Sequence, residues 1–420
     1  MTQSRRLEGS LLFKAFILGW LSFFLSWVAA PVWEPQALAY PVVVSAALLA
    51  VHLCLKKVGS VADQLLLPLT AVPLFLSVAI LYRLERSKAF WQVIWILLGL
   101  AVLLVFQFIP NIRKWRSYWA LLLLLGLVWL ASTLIWGVEV HGSKVWLELG
   151  PVRLQPSEPA KILFALALAG YLSNRKELLY VRYWRLGRLK LPHLVYIGPL
   201  VVVLILTLLL TVIQRDLGTG LLLFGVFICE LYVAAPRWDY LALGLGFLGA
   251  SSIIGYRLFH HVRVRFDIWL SPWEYAHGQG YQLVQSLLAT SAGGLFGAGL
   301  GRGWPQLIPA VATDLTFVAW SEETGLAGAI ALILVYMLLI ERGLKAAASS
   351  DDDFLCLAGV GISSLFALQS IVIIGGALRL LPLTGVTLPL FNYGGSSLVS
   401  SLAAIGFLLR LSDEGRPDAG

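Results

Sequence analysis

Five short clusters of polar and charged residues interrupt an apolar chain, and their types and spacing limit the chemistry open to it. The first is Gln155-Pro156-Ser157-Glu158-Pro159-Ala160-Lys161. Three positions separate Glu158 from Lys161, so a helix would set them on one face as an ion pair. Ser157 suits the cap of that helix, Pro159 its first turn, and Glu158 the positive end of its dipole. Lys161 sits one turn further in, where an ammonium suits a pyrophosphate or a carboxylate; a capped helix start with a salt bridge is the competing reading. The second cluster, Gly142-Ser143-Lys144-Val145-Trp146, reads first as an interfacial tryptophan beside a snorkelling lysine. The third, Gln214-Arg215-Asp216-Leu217-Gly218-Thr219, reads as a tight turn in which Asp216 caps the next helix.

The fourth cluster is spread along one long connection. It holds Arg263 and Arg265, then Gly280-Tyr281-Gln282-Leu283-Val284-Gln285-Ser286, then Thr313-Asp314, and closes on Ser321-Glu322-Glu323-Thr324-Gly325. Asp314 precedes an apolar helix, where it serves as a dipole partner or as a base. Glu322 and Glu323 fall in the first turns of that helix. Paired carboxylates near a basic loop suit a divalent cation or proton transfer. The fifth cluster runs Pro382-Leu383-Thr384-Gly385-Val386-Thr387-Leu388-Pro389, then Asn392-Tyr393-Gly394-Gly395-Ser396-Ser397. So much proline and glycine breaks helices and frees backbone amides, and Ser396 suits the cap of the last helix.

The elements that must position these residues are membrane helices. Of 420 residues, 59% are hydrophobic and only 13% charged, with a mean hydropathy of +0.83; a soluble domain keeps about 25% charged. Apolar runs predict about twelve spans, near residues 11–30, 40–55, 65–82, 90–109, 118–137, 158–173, 193–213, 217–235, 239–257, 317–340, 354–376 and 396–411. A charge at a helix centre costs about 2.5–3.5 kcal/mol on insertion scales, so the few that remain there point to a use. Loops expected inside carry Arg5, Arg6, Lys56, Lys57, Arg113, Lys114 and Arg116. They also carry Arg175, Lys176, Arg182, Arg185, Arg188 and Lys190, then Arg237, Arg342, Lys345, Arg410 and Arg416. Arg83, Arg86 and Lys88 run against the bias, which still puts both termini in the cytoplasm. The connection at about 257–316 is the longest, and its apolar stretches predict a short interfacial or re-entrant helix. Gly293, Gly294, Gly297, Gly299, Gly301 and Gly303 allow tight turns there. No Gly-Lys-Ser/Thr follows them, so they form no phosphate loop. Cys54, Cys229 and Cys356 are scattered and give neither a disulfide framework nor a metal spacing. The basic residues gather in no soluble domain, which argues against nucleic acid as a partner.

In this order the clusters resemble the SEDS family of shape, elongation, division and sporulation proteins (RodA, FtsW and SpoVE) over about residues 65–411. The shared patterns are Q-P-S-E-x-x-K, the D-L-G-T turn, G-Y-Q-x-x-Q-S, T-D before E-E-x-G, and P-x-T-G-x-x-L-P leading to Y-G-G-S-S. The resemblance implies an all-α polytopic membrane protein with a ten-helix core at 61–412. Residues 1–60 are then two additional N-terminal helices, and 413–420 a short cytoplasmic tail. It implies a peptidoglycan glycosyltransferase that polymerises lipid II on the outer face of the bacterial cytoplasmic membrane, for elongation, division or sporulation. Such proteins work with a class B penicillin-binding transpeptidase and other divisome or elongasome membrane proteins. Asp314 matches the family's catalytic aspartate, Glu158 and Lys161 its polar pair at the mouth of a central cavity, and Trp146 its first-loop tryptophan. Contacts to substrate are expected from these and from Lys144, Arg263, Arg265, Arg302, Gln282, Ser396 and Ser397. The informative charges are expected around one cavity. A divalent cation, Mg2+ or Mn2+, has candidate ligands in Asp314, Glu322 and Glu323, and no nucleotide cofactor is expected. The chain departs from the family pattern at Ala312 (often His), Arg215 (Pro), Asn392 (Ser) and Val145 (Arg). A lipid II flippase or transporter and an inactive scaffold that recruits a transpeptidase are the alternatives; a carrier should show polar groups near the midplane.

Overall fold

In hydrocarbon a backbone must satisfy its own hydrogen bonds, so each predicted apolar run becomes a helix. The computed structural model describes residues 5–30, 33–140, 143–150, 152–177, 183–186, 189–192 and 194–415. Gly142, Arg182, Arg188, Arg416 and most of the expected tail at 413–420 lie outside them. The helices are α1 (Arg6–Val28), α2 (Ala39–Val58), α3 (Leu66–Leu84), α4 (Arg86–Phe108), α5 (Trp119–Trp136), α6 (Ser157–Ser173) and α7 (Leu194–Ile213). There follow α8 (Leu217–Ala234), α9 (Trp238–Leu258), α10 (His260–Leu270), α11 (Tyr281–Gly293), α12 (Thr316–Ala348), α13 (Asp353–Ala377) and α14 (Gly395–Glu414). Among the described residues ten helices are long and apolar enough to cross a membrane. The remaining two of the twelve predicted runs are α6 and α7. The chain is a multi-pass membrane protein.

Two connections are not the plain loops that the sequence reading assumed. Residues 138–154 form a three-stranded antiparallel sheet, β1 (Val138–Val140), β2 (Ser143–Leu149) and β3 (Val152–Leu154), with Val138 opposite Trp146 and Glu148 opposite Arg153. The β-branched Val138 and Val140 favour an extended backbone, and Val138 and Glu139 are both exposed. β4 (Tyr183–Leu186) pairs antiparallel with β5 (Leu189–Pro192). The long connection holds two helices, α10 and α11, where one was expected. Helix α12 contains a break: Gly325 has φ 68° and ψ −169°, so 316–324 is a short helix and the membrane-crossing part follows it. Glu322 and Glu323 therefore end the short helix instead of opening the long one.

The described residues fall into two compact units. The first takes in 1–109, 264–342 and 369–413. Within it α1 lies along α3, where Gly19 admits the ring of Phe75; a Cβ at Gly19 would overlap that ring. At the start of α1, Glu8 is fully buried and pairs with Arg5 and with His52 Nδ1 at 2.6 Å. Arg5 also donates to the Ser60 carbonyl at 2.9 Å. A buried charge is tolerable when it is paired and hydrogen-bonded in this way. Residues 1–60 are thus built into the first unit. On its other side α4 packs against α14, with Gln107 Nε2 donating to the Gly406 carbonyl at 3.0 Å.

The second unit takes in 110–263, 343–368 and 414–420. There α5 and α6 meet through Trp119 and Tyr171, whose rings are 5.0 Å apart edge to face. Asp216 caps α8 as its position predicts, accepting from the Thr219 amide at 3.0 Å. Arg215 before it has φ 58°, a value the proline ring forbids, so the proline of the resembled pattern would need a differently shaped turn.

Candidate active site

In the second unit, the first turns of α6 hold Glu158 and Lys161 on one face. Lys161 Nζ donates to Glu158 Oε1 at 2.9 Å, and the residues are 1% and 5% exposed. The helix start differs from expectation. Pro156 stands at the cap without a side-chain bond, and Ser157, the first helical residue, has a buried hydroxyl with no partner among the described residues. Capping is done instead by main chain, with the Glu158 amide donating to the Gln155 carbonyl at 3.1 Å. Lys144 Nζ donates to the Leu134 carbonyl at 2.7 Å, satisfying the last turn of α5, a favourable place for a cation. Its backbone amide donates to the Gln214 carbonyl at 3.3 Å. Trp146 is half-buried on β2. Arg263 is exposed and folds back on its own segment, donating to the Tyr256 and Arg257 carbonyls at 3.3 and 3.2 Å.

In the first unit, Asp314 is half-buried at the end of a tight turn. The Thr313 and Asp314 amides both donate to the Ala310 carbonyl, at 3.2 and 3.0 Å, and Ala310 has φ 51°. Separate sequence clusters converge on this turn. Gln282 Nε2 donates to the Pro309 carbonyl at 2.9 Å. Asn392 Nδ2 donates to the Thr313 carbonyl at 2.7 Å, and the Tyr393 amide to the Ala312 carbonyl at 2.9 Å. Gln92 extends the chain, donating to Ser77 Oγ at 2.8 Å and to the Asn392 carbonyl at 3.3 Å. Below the turn Leu315 and Phe317 sit in a buried cluster with Leu388 and Phe391. The motifs at 280–286 and 392–397 hold the backbone that leads into Asp314, at Pro309, Ala312 and Thr313.

Of the remaining candidates, Arg265 and Ser397 have structural partners of their own. Arg265 donates to the Thr384 carbonyl at 3.2 Å, tying α10 to the 382–389 segment. Ser397 is buried and accepts from Thr387 Oγ1 at 2.8 Å. Ser396 lies within the first turn of α14, so it is not the cap that was expected. Arg302 is exposed on the glycine turn.

Glu322 and Glu323 serve that same turn. Glu322 Oε1 accepts from the Trp304 amide and Glu323 Oε2 from the Gly301 amide, both at 2.8 Å. Arg83 pairs with Glu323 at 3.5 Å and donates to the Gly303 carbonyl at 3.0 Å. Arg83 and Arg86, the charges that ran against the loop bias, are thus pairing partners within the first unit; Arg86 pairs with Glu34. Gly294, Gly297, Gly299 and Gly301 all have positive φ. A Cβ on Gly297 would overlap the Glu323 carbonyl. Gly297→Ala is expected to destabilise the fold by about 2–5 kcal/mol, the sum of about 1–2 for left-handed backbone and about 1–3 for overpacking, read as a lowered unfolding midpoint in detergent.

Among the described residues no three His, Cys, Asp or Glu side chains gather as a metal site. The donor set therefore does not fit an all-protein cage. Sequence reasoning passed over Glu230, fully buried in α8, whose carboxyl oxygens have no hydrogen-bond partner among the described residues. A lone carboxylate inside an apolar run was the signal for it.

Fold and site together define a polytopic membrane protein with a polar turn held by distant sequence motifs. The FtsW/RodA/SpoVE sequence model, described as cell cycle protein, matches residues 61–416. The peptidoglycan glycosyltransferase RodA of Mycobacterium tuberculosis (strain H37Rv) is 35% identical over 379 residues, covering 87% of this chain and 81% of the relative. Stage V sporulation protein E of Bacillus subtilis is 34% identical, covering 79% and 89%. The crystal structure of Thermus thermophilus rod shape determining protein RodA aligns with a TM-score of 0.63 at 27% identity, covering 85% of this chain and 99% of that one. A chain from a peptidoglycan synthase complex, described for its coordination of polymerization and crosslinking, aligns with a TM-score of 0.71 at 27% identity and the same coverage. The chain belongs to the FtsW/RodA/SpoVE family.

Proposed function

We propose that this protein is a peptidoglycan glycosyltransferase that joins lipid II units into glycan strands at the outer face of the bacterial cytoplasmic membrane, with both termini inside. The observation that carries this reading is Asp314, a half-buried carboxylate on a turn held by Gln282 and Asn392. Positioning of this kind is what a general base needs. In the reaction a sugar hydroxyl of one lipid-linked chain attacks the anomeric carbon of another. The new C–O bond forms as the bond to undecaprenyl pyrophosphate breaks. The hydroxyl proton passes to the Asp314 carboxylate and the electron pair leaves with the pyrophosphate. Attack opposite the leaving group inverts the anomeric centre.

The departing anion needs positive charge. Lys161, Arg265 and Arg302 are the candidates in this chain. Lys161 already has a carboxylate partner in Glu158, which fixes its ammonium in place. Mg2+ or Mn2+ binds through one or two carboxylates together with substrate phosphates, so Asp314 would hold such an ion only alongside the pyrophosphate, where it would neutralise charge. The likeness to a peptidoglycan synthase complex supports a transpeptidase partner, a class B penicillin-binding protein, within the elongation or division machinery. The test is glycan synthesis from purified lipid II by the purified protein, with and without that partner. Strands longer than the starting disaccharide are expected with the partner present. Movement of lipid II across a vesicle with no polymer made would favour a flippase instead.

A further inference from the structure

The two N-terminal helices, α1 and α2, precede every cluster that carries chemistry, yet the end of α1 touches the glycine turn that precedes Asp314. Ala29 closes α1. Gly301 of the glycine turn has φ 80°, and a Cβ placed there would overlap the Cβ of Ala29 and come within 3.8 Å of Arg83 Nε. Beyond Ala29, Glu34 pairs with Arg86, and the Glu34 carbonyl accepts from Trp27 Nε1 at 2.9 Å. Ala29 is thus held against the glycine turn, and Glu34 to Trp27 and the start of α4.

From Gly301 the contacts lead onward. Its amide donates to Glu323, and Arg83 joins Glu323 to the Gly303 carbonyl. The amides of Ala298 and Gly299 donate to the carbonyls of Glu322 and Glu323 at 3.0 and 2.9 Å. Those of Leu326 and Ala327 donate to Gly294 and Leu295 at 2.9 and 3.1 Å, on the far side of the Gly325 break. The glycine turn thus splints the break, and the short helix it holds starts two residues after Asp314. A turn this rich in glycine has little stiffness of its own, so what bears on it sets its position.

We infer that the end of α1 clamps the glycine turn, with Ala29 as the positioning residue for the helix that follows Asp314. The inference rests on the glycosyltransferase reading. A hairpin that only added packing would matter to stability and leave turnover alone. The clamp makes turnover sensitive to the Ala29–Gly301 contact, since a misplacement of about 1 Å far from the chemistry can cost about 100-fold.

The experiment measures lipid II polymerisation and thermal unfolding of the full chain with its transpeptidase partner. Gly301→Ala adds the overlapping methyl, and its rate is expected to fall by at least about tenfold. Ala29→Gly removes the methyl it meets, so the double variant is expected to regain most of that rate. Backbone strain at positive φ is not relieved by a change at Ala29, so recovery reports the contact itself. Ala29→Leu, which adds bulk beside the turn with Gly301 intact, is expected to lower kcat with the KM for lipid II unchanged, measured well below its unfolding midpoint, and it decides the matter if Gly301→Ala fails to fold. No recovery in a folded double variant, or parental kcat in Ala29→Leu, overturns the clamp. A parent chain that makes no polymer overturns the glycosyltransferase reading and the clamp's purpose with it, whereas an active parent with indifferent variants overturns the clamp alone.

Discussion

Asp314→Asn is expected to lower lipid II polymerisation by about 10²–10⁴-fold, the range that a positioned general base contributes. Asparagine has nearly the same shape, and bonds that shape the turn use main-chain atoms of 310–314, which the change leaves in place: the Asp314 amide to Ala310, the Thr313 carbonyl to Asn392 and the Ala312 carbonyl to Tyr393. What is lost is a group able to take a proton. The protein should therefore still fold and bind the transpeptidase while strand synthesis slows by that factor. Asp314→Glu keeps the carboxylate but moves it by a methylene, and should fall between the two. A folded, partner-bound Asp314→Asn protein that polymerises at the parental rate would remove Asp314 from the mechanism.

The helices were legible because lipid leaves an apolar run one good option. The runs near 158–173 and 354–376 became Ser157–Ser173 and Asp353–Ala377 within a residue. Helix ends were less legible, since a cap depends on one dihedral: Ser157 and Ser396 have the right chemistry for a cap, yet both fall inside their helices. The sheet at 138–154 was hidden because its two outer strands have only three residues each, too few to show a period. The engagement of Glu322 and Glu323 was hidden for another reason. Their partners are backbone amides of Gly301 and Trp304, some twenty positions earlier, and an amide leaves no mark in the residue type. The same holds for the turn at Asp314. The clusters at 280–286 and 392–397 looked like separate candidates for substrate contact. In the structure Gln282 and Asn392 act on carbonyl groups of the aspartate's own segment. Arg83 and Arg86 are held in ion pairs with Glu323 and Glu34, a use the loop-charge count could not see.

Lys161→Met and the double variant Glu158→Gln, Lys161→Met are expected to differ in stability and agree in activity. The pair is buried, with Lys161 at 1% and Glu158 at 5% exposure, and its bond is 2.9 Å long. Removing the lysine alone strands a buried carboxylate and should cost about 3–5 kcal/mol; replacing both members by hydrophobic residues of similar volume is often neutral or stabilising, and Gln with Met likewise leaves no buried charge. The single variant should therefore unfold at a lower temperature and the double variant near the parental one. Activity separates the two readings of the pair. If Glu158 and Lys161 only staple the start of α6, polymerisation recovers together with stability. If the ammonium stabilises the departing pyrophosphate, the double variant is as well folded as the parent and still slow. Glu158→Gln alone gives the third corner of the cycle, because it leaves the ammonium buried without its carboxylate and should also destabilise. The slow double variant is the expected result, since nothing about a helix start requires a lysine a full turn inside it. A double variant with parental rate and parental affinity for lipid II would assign the pair to folding alone.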